Sequence, residues 1–340
     1  MQVPILAAGM LLAICLIYAK VTKFFESLHV QYAENFAIKT CVSRRKQTAS
    51  TQNLPYPDEK PSPIAPLENF DWRTKKPPQF RGFKPKYNIS MGIRRDTPSE
   101  LLSIDHDYLD RVNQRREILK QHEDTVCGFL PGGEQAVLEI YDYFLTEYLP
   151  IRFPTMFQLS QDGTIFKNLV TNRSFPTKAR DIRSALLNLG ETVEEELFLL
   201  VPDSDSYRLV AYVCCFPSSF DPAEKLGLLL KDIHKPVPGY EKIGPSMERF
   251  FAKLQVGSPI KRQNTFLRSE LQTLTRFPNT QAILFSFKTY LYKVTDVKAQ
   301  GQGPEFAEAI EGIRQGNVPE MWDYKGAPRW GETVCRYLRS

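Results

Sequence analysis

The chain has four histidines, and His234 is set apart by its surroundings. Asp221-Pro222-Ala223-Glu224 has the form of a helix start, with an Asp cap, Pro at the first helical position and Glu at the third. From there Ala223, Leu226, Gly227, Leu230, Ile233 and His234 recur at helical spacing, one apolar stripe that predicts a helix ending at His234. Pro236-Val237-Pro238-Gly239 then fixes the chain. Such a residue is either a satisfied core histidine or a ligand. A neutral imidazole that faces an apolar cavity and is held by a rigid turn meets the requirement for an axial haem ligand. His29 lies beside an apolar N-terminal run, and His106 and His122 sit among charges and are expected at the surface.

A second constellation is Arg268-Ser269-Glu270-Leu271-Gln272-Thr273-Leu274-Thr275-Arg276, just before a long apolar run. Its charges fit a solvated face equally well. Beside a cavity, Arg268 or Arg276 would hold a carboxylate such as a haem propionate, and Glu270 would receive a cationic amine. The usual signatures of other chemistries are absent: no GxGxxG, Walker loop, HExxH, GxSxG or CxxC occurs. A built-in nicotinamide, iron–sulfur or zinc site is therefore not expected. Vicinal Cys214 and Cys215 are expected in a strand as small buried hydrophobes on opposite faces.

These residues need elements to position them. Thr97-Pro98-Ser99-Glu100 has the form of a capping box. Tyr108, Leu109, Val112 and Leu119 predict a partly apolar helix. Ala136, Ile140, Phe144 and Tyr148 predict an amphipathic helix over 134–148, ended by Leu149-Pro150. Glu196–Val201 and Tyr207–Phe216 flank a Pro-Asp-Ser-Asp-Ser turn and read as a hairpin. Ala282–Val294 reads as a long strand with Ile283, Phe285, Phe287, Thr289 and Leu291 on one side. Helices and strands do not alternate regularly, so the expected class is α+β with a mostly antiparallel sheet.

The 340 residues are 42% hydrophobic and 24% charged, which is globular rather than disordered. A net charge of +5 falls short of a nucleic-acid-binding balance. Six cysteines are too few and scattered for a disulfide scaffold. Val3–Ala19 is an uncharged run followed by Lys20 and Lys23, which as a helix reaches roughly 25 Å. It reads as an uncleaved membrane anchor over 1–23, in preference to a signal peptide or a core helix. The cations behind it place the main domain on the cytosolic side. Residues 24–70 then form a basic, Pro-rich linker, and 71–95 a basic arm.

The stretches MGIRRDTPSELLSIDHDYLDRVNQRREIL, EYLPIRFPTMF, FPSSFDPAEKLGLLLKDIHKPVPGY, RFFAKL, RSELQTLTRFPNTQAILFSFKTYL and YKG at 324–326 carry a resemblance. In this order they resemble the haem-dependent oxidative N-demethylase alpha-subunit family of bacteria and fungi. The resemblance implies a PAS-like α+β domain over 71–330 that binds haem b, with one transmembrane helix before it. It implies O2-dependent N-demethylation of an amine with release of formaldehyde, or oxidation of a natural-product intermediate. Electrons would come from a separate reductase carrying FMN and an iron–sulfur cluster and fed by NADPH. By the resemblance His234 is the axial ligand, while Arg268 and Glu270 match the family's Arg-x-Glu near haem or substrate. One departure stands out. The family continues after Lys261-Arg262-Gln263-Asn264 with Trp and a longer segment, whereas here Thr265-Phe266-Leu267 lead at once to Arg268. A non-catalytic haem- or ligand-binding PAS-like module tethered to a membrane is the alternative function.

Overall fold

A strand buried on both faces cannot alternate apolar with polar; it must be apolar or answer each polar group from within. The chain does both. The computed structural model describes residues 63–340 apart from 80–81, 90–91, 219 and 265–267. Its elements run β1 (Ile93–Arg95), α1 (Tyr108–Val126), β2 (Cys127–Phe129), α2 (Glu134–Asp142), α3 (Leu149–Arg152), β3 (Phe157–Leu159), β4 (Ile165–Asn168), β5 (Arg173–Pro176) and α4 (Ile182–Gly190). Then follow β6 (Glu196–Asp203), β7 (Ser206–Val213), α5 (Leu230–His234), α6 (Tyr240–Lys253), β8 (Ile260–Asn264), β9 (Arg268–Arg276) and β10 (Ile283–Leu291). Four helices close the chain: α7 (Val294–Ala299), α8 (Gly303–Glu311), α9 (Met321–Tyr324) and α10 (Ala327–Arg339).

Seven strands form one antiparallel sheet in the order β1-β8-β9-β10-β6-β7-β2; β3, β4 and β5 form a small second sheet. The architecture is α+β. Leu197, Leu199, Val213 and Leu284 face a core built with Leu119, Ile140 and Leu186 of α1, α2 and α4. Phe198, Leu209, Leu274, Phe285 and Phe287 face the opposite core, covered by Ile233, Ile243, Met247 and Phe251 of α5 and α6. Each such side chain contributes roughly 1.5–3 kcal/mol by leaving water. Cys214 joins the second core and Cys215 the first, on opposite sides as expected, although both lie just past β7.

The hairpin and the long strand are present, but both end earlier than expected: β7 stops at Val213 and β10 at Leu291, and Val294 already opens α7. Other expectations are corrected. Thr97 makes no cap bond, and Pro98–Glu100 is one 3-10 turn, because the Glu100 carboxylate goes to Arg152 at 2.6 Å instead of capping backbone. The helix over 134–148 turns π-helical over Tyr143–Tyr148 and does not stop at Pro150, but hands over to α3. Pro150 lacks the N–H of a regular α turn, and the widened turns accommodate that. The polar run 268–276, read as lying just before the long strand, is itself an interior strand, β9, between β8 and β10. Within the stretch read as linker, Ile64, Leu67 and Phe70 pack against the first core.

The single-pass membrane placement is corrected as well. No helix of the described residues is long and apolar enough to cross a membrane. Val3–Ala19, on which the anchor and the cytosolic orientation rested, lies outside the described residues.

Three consecutive glutamates, Glu194 to Glu196, are buried where β6 begins. The Glu196 carboxylate meets Arg115 at 2.6 Å and accepts the Cys215 N–H at the same distance. Lys288, pointing from β10 into the first core, lies 2.9 Å from Asp105 and 2.7 Å from Glu194 and donates to the Ser103 carbonyl. Glu195 accepts the Ser103 N–H at 2.8 Å. One ammonium thus serves two carboxyls with a third close by, and burial favours a proton on Glu194. Burial pushes Glu194 up to about 8, against the pull of Lys288. Glu195 is raised by the same burial. The folded state therefore holds a proton that the unfolded chain releases above about pH 4.5, and stability falls as pH rises from there to about 8. Unfolding free energies of wild type and Glu194→Gln across this window check it: wild-type stability declines relative to the variant's by up to a few kcal/mol, on the order of one per pH unit. Parallel curves would contradict the retained proton.

Candidate functional site

His234 reaches its place by a route the stripe did not predict. The expected helix from Asp221 is broken. Asp221 accepts the Ala223 N–H at 2.8 Å, but the N-cap of the turn that follows is Pro222, and the turn ends after Lys225. Gly227 adopts φ +82°, a left-handed conformation that side chains strain to reach, and a Cβ there would meet Leu130. The loop is pinned on β7 instead: Gly227 N–H donates to the Leu209 carbonyl at 2.9 Å, and Leu209 N–H returns to Leu228 at 3.1 Å. Only then does the short α5 bring Leu230, Ile233 and His234 onto the sheet. Gly239, also left-handed at φ +74°, turns the chain into α6.

The imidazole is 1% exposed. Its Nδ1–H donates to the Leu230 carbonyl at 2.8 Å, which fixes the tautomer and leaves the lone pair on Nε2. The ring stacks on Tyr240 with centroids 5.9 Å apart. Burial pushes its pKa down to about 4, and the charges of Arg262 and Lys225 press the same way. The ring is neutral at physiological pH. It lines a cavity with Phe198, Leu200, Leu209, Phe220, Phe251 and Phe285, walls that are almost wholly apolar.

The same face of the sheet turns polar beyond Phe287. Gln272 stands opposite Phe287, and Glu270 opposite Thr289. On the other side Arg262 stands opposite Gln272, and Asn264 opposite Glu270. Glu270 is 2% exposed and accepts a hydrogen bond from Gln272 Nε2 at 2.8 Å. Gln272 Oε1 and Thr289 Oγ1 are buried without hydrogen-bond partners. Arg262 is buried, and burial lowers its pKa while Tyr87 and Glu270 support its charge. The positive charge of Arg262 also disfavours protonation of His234. Sequence reasoning missed Arg262; its alternation with Ile260 on a strand paired to β9 was the available signal.

Arg268 is half-buried where β9 opens, opposite Leu291 and on the face of Glu270. Arg276 closes the strand, roughly 27 Å away by strand rise, so the two arginines cannot hold one small group together. The Arg276 guanidinium donates to the carbonyls of Leu254, Phe251 and Gln281 and to the Tyr207 hydroxyl. It clamps α6 and the β9–β10 turn to the sheet, and these bonds occupy it.

A haem makes two demands on this face. The donor chemistry fits: a buried neutral imidazole, oriented by a carbonyl bond at its other nitrogen, is what axial ligation uses. The space does not fit in this conformation. The cavity beside His234 has about 20 Å³ of free volume, one water's worth, whereas sites for organic groups run about 300–1,000 Å³. Among the described residues no cluster of three or more His, Cys, Asp or Glu could hold a metal ion.

Because the folded ring resists protonation, the His234 contribution to stability is present above about pH 6.5 and is lost as pH falls through about 4. Unfolding curves of wild type and His234→Gln between pH 4 and 7 test the sign. The wild type is expected to lose more stability toward pH 4; equal slopes would show the ring is not the titrating group.

The sequence of the chain was compared with models of known families. The model described as haem-dependent oxidative N-demethylase, alpha subunit-like, matches residues 92–267 and again 263–335. The two matches overlap at 263–267, at the end of β8 and the connection to β9.

Proposed function

Because the chain belongs to the haem-dependent oxidative N-demethylase, alpha subunit-like family, we propose that it is a haem-dependent monooxygenase that removes an N-methyl group from an amine or oxidises a natural-product intermediate. The observation that carries this reading is His234: buried, neutral, with one nitrogen bonded to a carbonyl and a lone pair on the other. The sheet with helices on its faces agrees with the PAS-like domain expected over 71–330. His234 would hold the iron of haem b, and Arg262 and Arg268, on the same face, would meet its anionic groups. The bound haem supplies O2 activation, which no side chain here can provide.

The protein's own part is binding, orientation and exclusion of water. The aromatic walls beside His234 keep water out. Glu270, with Gln272 Oε1 and Thr289 Oγ1 beside it, offers acceptors to a protonated amine and would orient its methyl group. The overall reaction consumes the methylamine, O2, two electrons and two protons and yields the demethylated amine, formaldehyde and water. The electrons would come from a separate reductase with NADPH, FMN and an iron–sulfur cluster.

The 20 Å³ cavity and the short β8–β9 connection favour a second reading, a module that keeps the fold without turnover. The absorption spectrum of the purified, haemin-supplemented protein decides between them. A Soret band, formaldehyde release with a reductase, and loss of the band in His234→Ala support the oxygenase. A colourless wild type, or an unchanged band in the variant, removes it. Glu270→Gln is expected to keep the band and weaken amine binding about tenfold, by loss of a charge-assisted bond; equal amine-induced spectral shifts in both proteins would take Glu270 out of substrate binding.

A further inference from the structure

Residues 71–79 open the stretch 71–95 read as a basic arm, and they are fastened to the domain. Trp72 is buried, the His106 N–H donates to the Lys75 carbonyl at 2.9 Å, and the Tyr292 hydroxyl donates to the Pro78 carbonyl at 2.5 Å. Arg73, Lys75 and Lys76 are thereby presented to solvent at fixed positions. Arg73 and Lys76 border an open groove of about 710 Å³, shared with Arg111, Tyr290, Leu291 and Tyr292. Leu291 is 77% exposed, the most exposed of the large apolar side chains among the described residues. The groove also contains Asp107, whose carboxylate lies 2.8 Å from His106 Nδ1, and Asp71 lies 3.5 Å from Arg73. An apolar centre ringed by cations suits a transient protein contact, in which charge steers the encounter and a small dry patch ends it. A continuous cationic stripe, as phosphate-rich surfaces demand, is not what these residues form.

We propose that this groove is the docking face for an acidic, electron-donating protein. The inference rests on the oxygenase reading for the need of such a donor, and on the groove itself for its place. Leu291 is in register with Arg268, and Thr289, two residues back, with Glu270. The Arg111 guanidinium, in the groove wall, donates to the Thr289 carbonyl at 3.3 Å. The groove therefore lies at the end of the two strands that carry the polar half of the site.

The test titrates the full chain with a plant-type [2Fe–2S] ferredoxin, an acidic one-electron donor, by calorimetry at about 20 and 200 mM salt. Affinity is expected to fall about tenfold or more with salt, and by a similar factor in the double variant R73E/K76E. Leu291→Ser should weaken binding several-fold with the salt dependence unchanged. R94E/R95E, a charge reversal at exposed positions on β1, should bind as wild type does. No binding, equal binding by R73E/K76E, or a preference for phosphatidylserine vesicles over ferredoxin would overturn the assignment. The Soret band is read on the same samples. A chain that binds haem and ignores ferredoxin loses the docking face and keeps the oxygenase reading. A colourless chain that binds ferredoxin through this groove does the reverse.

Discussion

The interior strands of the large sheet have cores on both faces, and that governs which polar residues they can carry. On β9 alone Ser269, Glu270, Gln272, Thr273, Thr275 and Arg276 are buried. Each must find a partner or leave an atom unanswered, at a cost of about 1–3 kcal/mol apiece. Arg276 is answered in full by three carbonyls and a hydroxyl. Lys288 on the next strand is answered by two carboxyls and a carbonyl. Glu270 and Gln272 answer each other, but Gln272 Oε1 and Thr289 Oγ1 are left over. Among the described residues on this face of β9 and β10 the unanswered acceptors are these two, and both stand beside Glu270.

That division separates the two kinds of polar residue better than composition does. Arg276 and Arg268 are equivalent as residue types, and the strand separates them in role. The first is consumed by holding α6 and a turn in place; the second opens the strand beside Glu270. Arg262 is buried on the same face; its charge helps keep His234 neutral and is itself supported by Glu270. The site is therefore a face with an apolar half and a polar half, rather than a cleft between lobes.

The amino-acid pattern disclosed the parts of this arrangement that depend on near neighbours. The β6–β7 hairpin followed from two β-prone runs around a turn, and β10 from alternation over nine residues. The burial of His234 was legible although its helix was not, because an apolar stripe records which side is covered whether or not the backbone is continuous. Gly227 inside that stripe was the sign of the break. What long-range pairing decides was hidden. Lys288 meets Asp105 across 183 residues of chain. Arg262 comes beside Gln272 only when β8 pairs with β9. The run 268–276 looked like a solvated segment since its charges are satisfied from elements far away in sequence. The π-helical turns over Tyr143–Tyr148 depend on how one proline is accommodated, which helical periodicity does not encode.

The ladder between β8 and β9 stays in register up to Asn264 and Glu270. Only the five residues between these two separate the paired ends, and the ladder's alignment is set by the pairs behind them. Lengthening that connection leaves the existing rungs where they are, and the entropy of closing a longer loop grows by only about 0.6 kcal/mol for each doubling. The hairpin is thus a natural graft point: a segment transplanted from a longer-looped member of the family would arrive beside Glu270 without disturbing the strands that present it.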